Sequence, residues 1–170
     1  MNAVTMRSGK PFAPDPTDKA QLRQAMGKFA TGVTVVTCNS ANGPVCITAN
    51  SFSSISLDPP LVMWAVAQHA RRFPYFQNAE DYAIHVLSSD QQELCDAASR
   101  NGFALKDIPH GENMSGVPLI DGCLARFECK RSACHTAGDH VIVVGQVLNI
   151  EMRDGDPLTF FGGSFGTFAP

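Results

Sequence analysis

A pair of β-patterned segments joined by a tight turn does most to limit what this chain can become. Residues 33–38 read VTVVTC, β-branched almost throughout; Asn42, Gly43 and Pro44 form a turn signal; Val45, Ile47 and Ala49 then lead a second strand. The pattern predicts a hairpin, and it recurs. Residues 61–67 (LVMWAVA) form a strongly apolar strand and residues 82–87 (YAIHVL) another, while Cys123, Ala125, Phe127 and Cys129 alternate with charged residues as a half-buried strand does. The partner of that last strand runs from His140 to Glu151, with the connection near Ala137 and Gly138. Helical signals are fewer. Thr17 or Asp15 is placed to cap a helix in which Leu22, Ala25, Met26 and Phe29 recur at helical spacing before Thr31 and Gly32 end it. A short helix limited by Pro74 is expected within residues 69–78, and Ser88 or Ser89 caps a third with Leu94, Ala97 and Ala98 as its inner stripe. Residues 101–118, with three Gly and two Pro, read as a loop.

At least six strands against two or three helices, several joined by short turns, predict a mainly β fold with flanking helices, an antiparallel barrel and not a series of βαβ units. The sequence holds neither G-x-G-x-x-G nor G-x-x-x-x-G-K-[ST], the glycine cradles on which doubly wound folds seat phosphates. A nucleotide would have to be held another way. The 170 residues, 44% hydrophobic, suffice for one well-buried domain, expected over residues 15–170 behind a polar, flexible N-terminal arm of residues 1–14. A net charge of −3 offers no basic field for a phosphodiester backbone, which sets nucleic acid aside. The longest apolar run, Pro59 to Ala67, is about half a bilayer crossing. The stretch MNAVTMRSGK lacks the apolar core of a secretory signal, so a cytoplasmic protein without membrane contact is expected. In that setting Cys38, Cys46, Cys123 and Cys129, which fall within apolar patterns, read as core thiols. Cys129, Cys134, His135 and His140 include no C-x-x-C pair and would need ligands from both strands of a hairpin, so no metal is expected.

One polar stretch interrupts the strands. Thr48 to Pro60 reads TANSFSSISLDPP, five Ser or Thr among thirteen residues, between two aliphatic segments. Short hydroxyl side chains often serve only the turn they stand in. A polar loop held between two core strands is also a rigid platform of small donors, suited to an oxygen-rich ligand. Asp58-Pro59-Pro60 shapes the chain into the next strand, because two prolines fix φ and donate nothing.

Four segments carry a resemblance. Residues 29–37 (FATGVTVVT), 49–62 (ANSFSSISLDPPLV), 83–88 (AIHVLS) and Gly138-Asp139-His140 follow, in order and spacing, the pattern of the flavin reductase-like FMN-binding proteins, and the match spans residues 20 to 165. The resemblance implies an antiparallel split β-barrel of the FMN-binding type, usually a homodimer, using FMN or FAD with NADH or NADPH as co-substrate. It implies a flavin reductase, commonly the reductase component of a two-component monooxygenase, with an oxygenase as possible partner. By this resemblance Thr48, Ala49, Asn50, Ser51, Ser53 and Ser54 lie along the flavin. A basic residue for its phosphate falls at Arg71 or Arg72, only one of which need be the ligand. His140 falls beside the nicotinamide site, as the expected catalytic-site residue. Hydride transfer between nicotinamide and flavin needs stacking at the right distance and no nucleophile, and the sequence shows no catalytic triad. His85 and His110 read as structural. One departure stands out: where reductases of this family commonly carry a Tyr-Arg pair for the nicotinamide nucleotide, this chain has Phe161 and Gly162. Loss of an Arg that made a charged hydrogen bond costs about 1.5–3 kcal/mol. A tightly flavin-bound electron carrier or sensor, and a flavin-free barrel, therefore remain alternatives to the reductase.

Overall fold

The computed structural model describes residues 9, 11 and 13–168. Most of the expected N-terminal arm, residues 1–8, 10 and 12, lies outside the described residues. The described chain begins with a helix, α1 (Ala20–Met26), then β1 (Thr31–Gly32), β2 (Thr34–Cys38), β3 (Val45–Ala49), β4 (Ser53–Leu57) and β5 (Pro60–Ala67). After α2 (Phe73–Asn78) come β6 (Asp81–Val86), α3 (Gln92–Arg100) and the short pair β7 (Gly111–Glu112) and β8 (Pro118–Leu119). The long strands β9 (Ala125–Ala137) and β10 (His140–Met152) precede a final hairpin, β11 (Leu158–Phe161) and β12 (Ser164–Thr167). Seven strands form one antiparallel sheet in the order β3-β2-β6-β9-β10-β5-β4, and β1, β11 and β12 form a second. The expected mainly β, antiparallel architecture of split-barrel type is what the chain adopts. No helix among the described residues is long and apolar enough to cross a membrane.

β2 explains the two-sided core. All five of its residues are buried, and its side chains alternate between two clusters. Val33 and Val35 pack with Leu87, Cys95 and Leu105 under α3, whereas Val36 and Cys38 pack with Trp64, Phe76 and Ile84. A strand covered on both faces reads as a continuous apolar run, as VTVVTC does. Its two buried threonines are satisfied by carbonyls: Thr34 Oγ1 donates to Ala49 O (2.6 Å) and Thr37 Oγ1 to Pro118 O (2.6 Å). His85, on the neighbouring β6, is likewise fully buried and bonded at both ring nitrogens, Nδ1 to Val35 O (3.0 Å) and Nε2 to Ile120 N (3.1 Å). The second cluster centres on Trp64, with Phe76 of α2 edge-on at 5.2 Å. Gly145 is required beside it: a Cβ there would come within 2.0 Å of the Tyr82 hydroxyl.

Three expectations need correcting. Residues 48–60 are not one loop: Thr48 and Ala49 end β3, and Ser53–Leu57 is the edge strand β4, paired to β5 with an irregularity between Ser54 and Ser56. Pairing with the apolar β5 recruits this polar segment as an edge strand, four of whose five residues are exposed. The first helix ends at Met26, not at Thr31, and none of its residues is buried; Met26 is 65% and Phe29 77% exposed. It lies on the outside, with Asp15 accepting from Thr17 and Asp18 accepting from Ala20 N. Residues 101–118 are not all loop either, since a 3₁₀ turn spans Ala104–Asp107 and β7 pairs β8. The six cysteines are free thiols, all buried except Cys134.

Candidate flavin cleft

The polar platform is fixed at both ends before it reaches any ligand. At its start, Thr34 holds the Ala49 carbonyl. One residue past Asn50, the Ser51 hydroxyl donates to Ala65 O (3.2 Å) and accepts from Ala65 N (2.9 Å), riveting the turn to β5. Phe52 then anchors in the core, stacked on Phe127 with centroids 5.5 Å apart. Asn50 itself is exposed and makes no side-chain hydrogen bond among the described residues. Its amide is presented to whatever fills the space beside it.

That space is a run of three cavities. One of about 500 Å³ is lined by Phe29, Thr31, Asn50, Ser51, Phe52 and Ser53, among others. Asn50 is shared with a second, of about 180 Å³, which Thr48, Ala49, Cys95, Ser99, Phe160 and Phe165 help to line. Ser99 is shared in turn with a third, of about 430 Å³, which contains Arg71 and Arg72. The run follows β3 from Asn50 back to Val45, roughly 16 Å of strand at the usual rise. One end is apolar with hydroxyls and amides, and the other is cationic.

The structure therefore brings Thr48, Ala49, Asn50, Ser51, Ser53, Arg71 and Arg72 along one cleft, and leaves four other expected residues off it. Ser54 lies on exposed β4. Phe161 is 52% exposed at the end of β11, and Gly162, with φ +60°, makes the turn to β12 and donates to Gly27 O (2.9 Å). Successive strand residues face opposite ways, so it is Phe160, edge-on to Phe165 at 5.3 Å, that walls the cleft. His140 opens β10 opposite Ala67, far along the β9–β10 hairpin, with Nδ1 2.7 Å from Asp139 Oδ1. That contact holds the Asp139 carboxyl below the usual carboxylate range.

Sequence reasoning missed Thr31, Ser99, Phe160 and Phe165. The two phenylalanines carry a readable signal, because FFGGSF is a Gly-Gly hairpin turn flanked by aromatic residues. Ser99 carries none, being brought in by the end of α3.

The residues present fit a flavin. The Thr31 hydroxyl is buried at the apolar end with no protein partner, as a group awaiting a ligand's polar edge would be. At the other end Arg72 is partly buried, which draws its guanidinium below the ordinary arginine value, and it is steadied by a bond from Nη2 to Ser99 O (2.8 Å). A Cβ on Gly102 would come within 2.8 Å of its Nε, so glycine there lets the side chain lie across the backbone.

Comparison with known proteins agrees with this geometry. A family model described as flavin reductase like domain matches residues 26–169. The chain is 50% identical over 169 residues to the FMN reductase (NADH) SmoA of Agrobacterium fabrum, covering 99% of this chain and 97% of that protein. It is 31% identical over 160 residues to the reductase subunit HsaB of a flavin-dependent monooxygenase of Rhodococcus jostii, covering 93% and 82%. Among solved structures it resembles the Streptomyces globisporus NADH:FAD oxidoreductase in complex with NAD and FAD fragments, with a TM-score of 0.86, 34% identity and coverage of 94% and 98%.

Proposed function

We propose that this chain, which belongs to the family of flavin reductase like domains, is an NADH-dependent flavin reductase that reduces FMN or FAD in the cleft along β3. The observation that carries the reading is the cleft's polarity: an apolar, hydroxyl-lined end at Asn50 and Thr31, and a cationic end at Arg71 and Arg72. A flavin has the same order, a planar ring, a polyol and a phosphate. When bound, the flavin supplies the hydride acceptor and the nicotinamide supplies the hydride.

The protein's part is to hold and orient. Asn50 and Thr31 offer hydrogen bonds to the ring's polar edge, Thr48, Ala49 and Ser53 extend that contact, and Ser51 acts through its grip on β5. Arg71, exposed and without an ion pair among the described residues, is the phosphate ligand; Arg72, tied to Ser99, shapes the seat. Phe160 and Phe165 shield the cleft from water, which the transfer step favours. His140 contacts the nicotinamide nucleotide in a pair of subunits, because on a single chain it lines no part of the cleft. Residues 15–170 act as one unit in this reading, a cytoplasmic homodimer that passes reduced flavin to an oxygenase. The relative named as a monooxygenase reductase subunit supports that last step.

The test is steady-state oxidation of NADH and NADPH with added FMN or FAD. Flavin-dependent NADH oxidation is expected, and His140→Ala should raise the KM for NADH while sparing FMN affinity. Flavin bound without NADH oxidation would instead point to the electron carrier.

A further inference from the structure

The long hairpin β9–β10 ends in a ribbon that little else holds. β6 lies beside β9 only along Ala125 to Lys130, so from Ser132 to the turn β9 has β10 as its one neighbouring strand among the described residues. Residues 134–139 are all exposed, and no core packing fixes the tip. The turn itself is tight: Gly138, with φ +62°, and Asp139 join Ala137 to His140. On the other side, the ladder between β5 and β10 stops where His140 faces Ala67.

The residue after that ladder is Gln68, and it takes all three carbonyls of Gly138-Asp139-His140. Its backbone N donates to Asp139 O (2.9 Å), and its side-chain Nε2 donates to Gly138 O (3.1 Å) and His140 O (3.4 Å). Carbonyls only accept, so the amide nitrogen must face them, and its two hydrogens match the two oxygens. Gln68 is held in turn: Ala70 N donates to Ala67 O (3.0 Å), closing a turn that starts where β5 ends and leads directly to Arg71. The imidazole depends on this tip. Asp139 Oδ1, 2.7 Å from His140 Nδ1, accepts from that nitrogen and leaves Nε2 without a protein partner among the described residues.

We propose that Gln68 is a positioning residue for hydride transfer: by grasping the three carbonyls it sets where the Asp139–His140 pair stands and which way Nε2 points, and it ties that placement to the strand end from which Arg71 follows. The inference rests on the reading in which His140 meets the nicotinamide nucleotide and Arg71 the flavin phosphate. Gln68 lines no part of the cleft. Its effect on turnover therefore runs through His140.

Gln68→Met keeps the length of the side chain and removes both donors. Because Gln68 and the tip are exposed, the variant should keep the wild-type unfolding midpoint, and its Kd for FMN should be unchanged. Its KM for NADH should rise about fivefold, the effect of losing exposed hydrogen bonds, with kcat retained. In the His140→Ala background the same substitution should raise KM no further. Nitrogen-15 NMR of the histidine rings, with His140 assigned from the spectrum of His140→Ala, gives a readout that needs no nucleotide. The wild type should show His140 protonated at Nδ1, and Gln68→Met should move its two nitrogens toward the averaged shifts of a free imidazole. An unmoved His140 signal, an unchanged KM, or a rise in KM that persists without His140 overturns the proposal. Absence of NADH oxidation by wild-type protein that binds FMN is instead the failure of the reductase reading, and the ring-nitrogen shifts then still decide whether Gln68 sets the geometry of His140.

Discussion

The hydroxyl of Ser51 serves both backbone groups of one residue, donating to Ala65 O and accepting from Ala65 N. A hydroxyl both donates and accepts, which the methyl of an alanine cannot. Ser51→Ala should therefore cost about 1–2 kcal/mol, read as a lowered denaturant midpoint, and should loosen Asn50 enough to weaken flavin binding. Buried His85 gives a second test at this scale. Ile120 N can only donate, so His85 Nε2 must be bare and Nδ1 must carry the proton to Val35 O. Burial pushes its pKa down from 6.5 to about 4. Below pH 6.5 the unfolded chain takes up a proton that the folded one refuses until about pH 4, so stability falls as the pH drops through that window. The loss from this residue reaches up to about 3 kcal/mol and is absent above pH 7. Urea midpoints measured from pH 8 to 4 should show it, and His85→Gln should flatten the slope while lowering stability throughout.

Among the elements, the hairpin β11–β12 separates residues that look alike in sequence. Phe160 and Phe165 face the cleft and each other, whereas Phe161 faces solvent. Phe165→Ala should weaken flavin binding by about 1 kcal/mol, several-fold in Kd, and Phe161→Ala should leave it unchanged in a fluorescence titration. Restoring a Tyr-Arg pair at 161 and 162 would also place a side chain at a glycine with φ +60°, straining the turn. This hairpin also shows what sequence pattern conveys. The β2–β3 and β9–β10 hairpins were legible because their apolar residues face a core, so period and turn signal agree. β4 was not, since an edge strand of serines buries little and its ladder to β5 is set by tertiary position. α1 misled for the converse reason: its apolar spacing faces no core in the single chain. The platform residues of the site were legible as a cluster of hydroxyls. Ser99 and Arg100 were not, because distant segments meet them only in the folded state, and the phenylalanines of β11–β12 could be read only as aromatic residues flanking a Gly-Gly turn.

For the whole molecule, three of the large apolar residues that the fold leaves uncovered, Leu148, Ile150 and Met152, stand together at the end of the long strand β10. β5 pairs with β10 only as far as Leu61 opposite Gln146, so beyond Gln146 that edge of β10 has no strand beside it. On this unpaired stretch Leu148, Ile150 and Met152 alternate onto one face, with Ile150 60% and Met152 81% exposed. An open strand edge bearing a row of large apolar side chains invites a second strand. A second copy of this chain meets the requirement with the same row, the self-complementary geometry of a two-fold dimer. Light scattering coupled to size exclusion should give a dimer at the concentration where flavin binds. Ile150→Asp, a charge set in the middle of the row, should give a monomer that stays folded by circular dichroism. The monomer should keep FMN affinity within a few-fold, since the platform and Arg71 belong to one chain, yet show a raised KM for NADH if His140 acts across the interface. A wild-type protein that runs as a monomer with full NADH turnover would remove both the dimer and the role of His140 within it.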